Sequence, residues 1–212
     1  MSTNQRGLWI CIDGVEGAGK TTIAQGLTTA LGAIGVSEFS GTPIGSALRA
    51  AVKISPHFIS KSPLAQSLVF IGDFIELVHS KVCPALNDGK IVITDRGYLS
   101  KYAYQEVVLE SAMSRTEARI LLDGIFTFLP VPDATLLLTA PRDVLQNRLI
   151  ARGENCGESR LGFLDKAAVA AREFLERRPT MNAAVIDSDR TIEETFQELR
   201  QALVPLFASS PR

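Results

Sequence analysis

A chain of 212 residues has the length of one ordinary domain. With 46% apolar and 21% charged residues it has the balance of a globular core, which excludes general disorder. Its 22 Lys+Arg against 23 Asp+Glu leave a formal net charge of -1, so no global field draws it to nucleic acid or to an acidic membrane, and any phosphate binding must be local.

Cys11, Cys83 and Cys156 are odd in number and form no CxxC pair, which suits a reducing compartment better than a disulfide framework. The lone His57 and His79 are too few for a transition-metal centre and read as solvated or helix-surface residues. The start, MSTNQRG, is short and polar, and the first apolar run is too brief for a signal peptide. No later stretch reaches the roughly twenty apolar residues of a membrane span. The expectation is a cytoplasmic protein with no membrane or nucleic-acid partner.

Short apolar runs alternate with helical patterns along the chain. Leu8 to Asp13 reads as a buried strand ending in a carboxylate, followed by a helix over Thr21 to Ile34 with Ile23, Leu27, Leu31 and Ile34 at helical spacing. Val36 to Phe39 reads as a second strand, and Ile44 to Val52 as one or two helical turns after Gly-Thr-Pro. Pro63 opens a long helix with a stripe of Leu64, Leu68, Ile71, Ile75, Val78 and Val82, closed by a turn at Asn87-Asp88-Gly89. Lys90 to Asp95 is a third strand, again ending in Asp, and Tyr98 to Phe128 holds one or two helices. Ala134 to Thr139 is a fourth strand, Asp143 to Ala151 a helix, and Gly153 to Gly162 a loop. A helix over Lys166 to Arg178, a fifth strand over Ala183 to Asp187 and a helix over Ile192 to Phe207 complete the chain. Nearly all-apolar strands separated by helices predict an α/β fold, a parallel sheet covered on both faces, with ligands at the carboxyl ends of the strands. Asp13, Glu38, Asp95 and Asp187 lie at or near those ends.

Gly14-Val15-Glu16-Gly17-Ala18-Gly19-Lys20-Thr21 matches G-x-x-x-x-G-K-[ST] and sits between a strand and a helix, with Thr22 next. Glycines let successive backbone N–H groups curl inward around phosphates, and the following helix presents its positive end to the same anion. Lys20 would reach the β and γ phosphates of ATP, and the Thr21 hydroxyl would ligate Mg²⁺. No N-K-x-D or D-x-x-G string accompanies the loop, which excludes a GTPase switch. A chain too short for a motor or transporter ATPase, with an Arg-containing loop late in the sequence, fits a nucleotide kinase.

Ile12 to Thr22, Gly41-Thr42-Pro43-Ile44-Gly45 running on to Leu48-Arg49, Leu68-Val69-Phe70, Pro84-Ala85-Leu86 to Gly89, Asp95-Arg96 with Leu99-Ser100 and Ala103-Tyr104-Gln105, and Ala151-Arg152-Gly153-Glu154 together resemble the thymidylate kinase family. The resemblance runs from about residue 8 to about residue 204. It implies one P-loop kinase domain over residues 1–212, a three-layer fold with a five-stranded parallel sheet and a lid at about 153–162, in a homodimer. The implied reaction moves the γ-phosphoryl of ATP onto the phosphate of dTMP. The resemblance places Glu16 near the deoxyribose 3′-hydroxyl, Arg96 between the phosphates of donor and acceptor, Phe70 against the acceptor base, Tyr104 where a ribose 2′-hydroxyl would go, and Ser100 and Gln105 along the base pocket. Glu38 and Arg49 fall on the acceptor side, and Asp95, directly or through water, joins Thr21 at Mg²⁺. Catalysis of this kind is positioning plus charge neutralisation, for which Lys20, Arg96 and a lid arginine supply cations. Arg160 is the lid candidate, while Arg142, Arg148, Arg172, Arg177 and Arg178 read as solvated helix faces.

Two departures bear on the acceptor. Ser37 stands where the family carries a phosphate-gripping arginine, and Phe74 where it carries a base-reading one. Phe74 could wall the base site beside Phe70, or simply pack in the core. The departures admit a deoxynucleoside kinase, with Glu38 as base toward a 5′-hydroxyl, and a non-catalytic ATP-binding protein as alternatives.

Overall fold

The computed structural model describes residues 6–54 and 60–208; His57 lies outside them. Five strands form one parallel sheet in the order β2-β3-β1-β4-β5. They are β1 (Trp9–Gly14), β2 (Ile34–Ser37), β3 (Val92–Asp95), β4 (Ala134–Thr139) and β5 (Ala183–Asp187). The centre is taken by β1, all six of whose residues are buried, between β3 and β4. The register pairs Asp95 with both Ile12 and Ser37, so β2 and β3 finish level while β1 runs two residues further, to Gly14.

The helices are α1 (Lys20–Leu31), α2 (Pro43–Ile54), α3 (Pro63–Leu77), α4 (Cys83–Asn87), α5 (Tyr98–Leu109), α6 (Arg115–Phe126), α7 (Arg142–Ala151), α8 (Glu158–Glu176) and α9 (Ile192–Ala208). Helix α1 packs on β1, β2 and β3, α9 on β4 and β5, and α5 on β1, with α3 and α8 against α5. Trp9, fully buried, ties the centre of the sheet together by donating its indole N–H to the Thr94 hydroxyl at 3.3 Å.

Several boundaries differ from the sequence reading. The second strand is Ile34–Ser37 rather than Val36 to Phe39, because Gly32 adopts a left-handed conformation and ends α1 early. Phe39 and its neighbours then form the loop beyond the sheet edge. The long third helix is interrupted by a π-helical turn at Val78–Val82 before α4. Of its predicted stripe Leu64 and Leu68 are exposed, Ile71, Val78 and Val82 are buried and Ile75 is partly buried, while Gln66, Ser67, Phe70, Asp73 and Phe74 face inward. Gln66 and Phe70 line the cleft described below. Helix α8 begins at Glu158, inside the segment predicted as loop up to Gly162. Its polar first turn hides the start, but Leu161, Phe163, Leu164 and Ala167 are buried and hold it.

Arg177 and Arg178 are not a solvated face. Arg178 donates to Asp123 at 2.6 Å, and Arg177 approaches Glu106 and Asp123. They belong to a network around Glu106, which α5 buries completely and which Arg115 and Arg119 of α6 meet at 2.7 and 2.9 Å. A buried carboxylate stripped of its cations is costly. Replacing both Arg115 and Arg119 by Met is therefore expected to lower the unfolding free energy by roughly 3 kcal/mol, read as a lower urea midpoint, and adding Glu106→Gln should recover most of the loss.

Candidate active site

The loop after β1 is shaped by glycines that no other residue could replace without strain. Gly14 has φ 140° and a Cβ there would lie 2.5 Å from the Leu138 carbonyl oxygen; Gly17 has φ 84° and a Cβ would lie 2.9 Å from that of Leu145. The loop is thus wedged against β4 and α7. Arg148 secures it by donating to the Gly17 carbonyl at 3.3 Å and to the Ser188 carbonyl at 2.7 Å. Arg148 is therefore partnered, contrary to the solvated face expected for it. Gly19 caps α1 with no side-chain hydrogen bond, which leaves the helix N-terminus facing the loop.

Lys20, 6% exposed, folds back and donates to the Val15 carbonyl at 2.6 Å. Burial, reinforced by the Arg96 cation, lowers its ammonium to about 7 even though Asp95, Glu16 and Glu38 favour the charged form. The Thr21 hydroxyl donates to Asp95 Oδ2 at 2.6 Å, which sets a hydroxyl and a carboxylate side by side next to Lys20. These are oxygen donors of the kind a hard divalent cation takes. No group of three or more His, Cys, Asp or Glu among the described residues could hold a metal alone. An ion here would draw its remaining ligands from phosphates and water.

Beyond the loop, charges alternate in a row. Arg160 meets Glu16 Oε2 at 2.6 Å; Glu16 Oε1 lies 3.6 Å from Arg96; Arg96 Nε meets Glu38 Oε2 at 3.0 Å; and Glu38 Oε1 accepts from Lys101 at 2.6 Å. Arg96 takes a left-handed backbone conformation, φ 66°, unusual for a residue with a side chain. Its turn is fixed by the buried Asp13, which accepts from the N–H groups of Gly97 at 2.9 Å and Ser100 at 3.0 Å. The Arg96 guanidinium sits 4.8 Å over the Tyr104 ring, and burial pushes the Tyr104 phenol up. Burial alone would raise the Glu38 carboxyl, but Lys101 and Arg96 outweigh it and hold it down at about 2.

This row crosses a cleft of about 830 Å³, lined by Phe39, Gln66, Phe70, Ser100, Tyr104 and Gln105 and by Gly153–Asn155, Arg160 and Phe163, the last in edge contact with the Tyr104 ring. A smaller polar pocket, with Lys20, Thr21, Asp95 and Arg152, adjoins it, and Glu16, Glu38 and Arg96 line both. Of the residues expected at the acceptor, Phe70, Ser100, Tyr104 and Gln105 meet in the cleft. Phe74 does not: 1% exposed, it packs in the main core, because the helix turns it from the cleft toward the sheet. The reading of Phe74 as a base-site wall is corrected accordingly. Arg49 also lies outside the lining; it donates to the Glu38 carbonyl at 2.8 Å and stacks at 5.4 Å on Phe39, supporting the loop from behind. The same loop is held by buried Asp73, which accepts from the Ser40 hydroxyl and, at 3.1 Å, from its N–H.

The thymidylate kinase family model matches residues 12–199. The chain belongs to the thymidylate kinase family. It is 31% identical to a thymidylate kinase of Halorhodospira halophila, covering 95% of this chain and 96% of that one. It is 29% identical to a probable thymidylate kinase of Methanococcoides burtonii, over 96% of this chain and all of the relative. The fold matches thymidylate kinase structures from Candida albicans, at TM-score 0.73 and 22% identity, covering 93% of this chain and 91% of that one, and from Ehrlichia chaffeensis, at TM-score 0.68 and 20% identity, covering 93% and 99%. The chain is an ATP-dependent phosphotransferase with the P-loop kinase fold.

Lys101, Asp73, Arg148 and the capping role of Asp13 were not picked out by motif. Asp13 carried a signal, as a carboxylate ending a strand; the others are set by packing between segments distant in sequence. The depressed ammonium of Lys20 makes a testable link. A triphosphate at the loop would raise its pKa back toward the ordinary lysine value, so nucleotide binding at pH 8, above the free value of about 7, should take up protons. Calorimetry in buffers of different ionisation enthalpy should show a larger proton uptake for the native chain than for Lys20→Met, and the difference should shrink as the pH falls below 7.

Proposed function

We propose that this chain transfers the γ-phosphoryl group of ATP to the phosphate of dTMP, forming dTDP, in the cytoplasm and as a homodimer. The observation that carries the reading is the place of Arg96, which lines both the P-loop pocket and the neighbouring cleft. One guanidinium facing two phosphate-sized spaces is what transfer between two nucleotides needs, because charge spreads over oxygens of both during the step. The P-loop N–H groups and Lys20 bind the donor phosphates. Thr21 and Asp95 hold Mg²⁺, which supplies charge neutralisation on the phosphate oxygens when bound.

On the acceptor side Phe70 stacks on the base, with Ser100 and Gln105 along its edge and Glu16 toward the sugar. Tyr104 serves twice: its ring supports Arg96 at 4.8 Å, and its bulk occupies the space of a 2′-hydroxyl. Arg160 adds a cation from α8, and the segment Gly153–Gly157 with the start of α8 covers the donor as a lid that excludes water. Helix α3 leaves Leu64, Leu68 and Val69 exposed, an apolar face suited to a partner copy. Among the described residues no helix is long and apolar enough to cross a membrane.

The nucleoside kinase alternative would ask Glu38 to accept a proton from a 5′-hydroxyl. A carboxylate held at about 2 by two adjacent cations is a weak base at neutral pH, which counts against that role.

An assay with ATP, Mg²⁺ and a panel of dTMP, dUMP, dCMP, UMP and thymidine should give turnover of dTMP and none of thymidine; the reverse pattern would favour the nucleoside kinase. Lys20→Met should reduce kcat by at least about 100-fold without lowering the thermal midpoint. Tyr104→Phe should keep the preference for deoxynucleotides, whereas Tyr104→Ala should relax it by about tenfold and lower kcat as Arg96 loses its support.

A further inference from the structure

Four cations line the large cleft: Lys53, Arg96, Lys101 and Arg160. Lys53 is exposed near the end of α2, and Arg160 of α8 is engaged by Glu16 and Glu154. Arg96 and Lys101 remain together, on the two oxygens of a single carboxylate: Arg96 Nε on Glu38 Oε2 at 3.0 Å and Lys101 Nζ on Oε1 at 2.6 Å. Lys101 is an unusual residue to find here. Its side chain is only 6% exposed, and its ammonium lies 5.0 Å over the Phe39 ring and 5.6 Å over that of Phe70. Burying a lysine sacrifices hydration that one carboxylate, itself shared with Arg96, restores only in part. The rings and the α5 backbone nevertheless hold its head at the cleft.

We infer that Lys101 grips the phosphate of the acceptor nucleotide, together with Arg96, and so selects a phosphorylated acceptor over the free nucleoside. The inference rests on the kinase reading above. Two cations spaced to meet both oxygens of one carboxylate are also spaced to meet two oxygens of one phosphate, and a phosphate monoester brings up to two negative charges where Glu38 brings one. Glu38 keeps the two cations compensated while the cleft is free.

The test compares the native chain with Lys101→Met, which keeps the stem over both rings, and Lys101→Arg, which keeps the charge. Steady-state KM for dTMP and for ATP is measured alongside the inhibition constant of thymidine as a competitor that lacks the phosphate. Lys101→Met is expected to raise the KM for dTMP on the order of 10- to 100-fold, to leave the KM for ATP and the inhibition constant of thymidine unchanged, and to be largely rescued in Lys101→Arg. An inhibition constant for thymidine that rises in step with the KM for dTMP would overturn the inference, since Lys101 would then serve the nucleoside part of the site. An unchanged KM for dTMP would overturn it too, leaving Lys101 as a counter-ion of Glu38. Should Lys101→Met alone fail to fold, Glu38→Gln with Lys101→Met removes both charges; a KM for dTMP equal to that of Glu38→Gln alone would again overturn the inference. Absence of dTMP turnover in the native chain would overturn the kinase reading itself, whereas native turnover with an unchanged KM in Lys101→Met overturns the grip alone.

Discussion

The structure depends on how the fold compensates four cations gathered around two adjoining pockets. Lys20 lines the P-loop pocket, Lys101 and Arg160 line the cleft beside it and Arg96 lines both, so like charges gather where they repel more strongly than in water. Glu16 and Glu38 alternate with three of them, each carboxylate between two cations, and Lys20 turns to the Val15 carbonyl and gives up part of its charge. In the proposed reading, the carboxylates stand where phosphate oxygens of the substrates would meet the same cations. That compensation lets these residues stay buried or half-buried at fixed positions instead of swinging into solvent.

The fold supplies the rigidity that such a row requires. Arg96 sits in a strained backbone conformation immediately after β3, and strain of that kind persists only where neighbours over-determine it. Asp13, one strand over, does so by capping the turn into α5 with both of its backbone contacts. On the other flank, Asp73 of α3 fixes Ser40, and Arg49 of α2 fixes the Glu38 carbonyl, so the loop carrying Glu38 is tied to two helices. The sheet register, which ends β2 and β3 together beside Ile12 just before Asp13, is what places these separate devices within reach of one another.

How much of this was legible in the sequence follows from the range of the interactions. The P-loop, the strand-end aspartates and the alternation of apolar runs with helical periods are local patterns, and they led to the sheet, its parallel sense and the phosphate pocket. Phe74 was open between cleft and core because helical spacing alone puts it on the side of Phe70; its burial in the main core follows from how α3 packs on the rest of the chain, which no local pattern encodes. The start of α8 was missed because Glu158-Ser159-Arg160 is polar and Gly162 looks like a loop residue, although packing of Leu161, Phe163 and Leu164 holds the turn. Arg148 and Arg178 were read as solvated because their partners, the Gly17 and Ser188 carbonyls and Asp123, are far away in sequence. Lys101 had no motif at all. Its meaning comes from a carboxylate 63 residues earlier.

The exchange of carboxylates for phosphates also constrains affinity. An incoming phosphate gains only the difference between its own interaction with a cation and the one that Glu16 or Glu38 already provides, so the row moderates ground-state binding. With Arg96 in the role proposed for it, charge would shift during transfer onto oxygens facing its guanidinium, and an interaction that strengthens at that stage accelerates the step where uniform binding would not. Glu38 then has two tasks that pull in the same direction: it limits how tightly the acceptor phosphate is held at rest, and it keeps Arg96 aimed at the space between the two pockets. A neutral residue at position 38 would free both cations for the ground state, and it would also free Arg96 to leave the alignment that its strained backbone maintains. The alternation of charge is therefore part of the catalytic geometry as well as a condition for burying it.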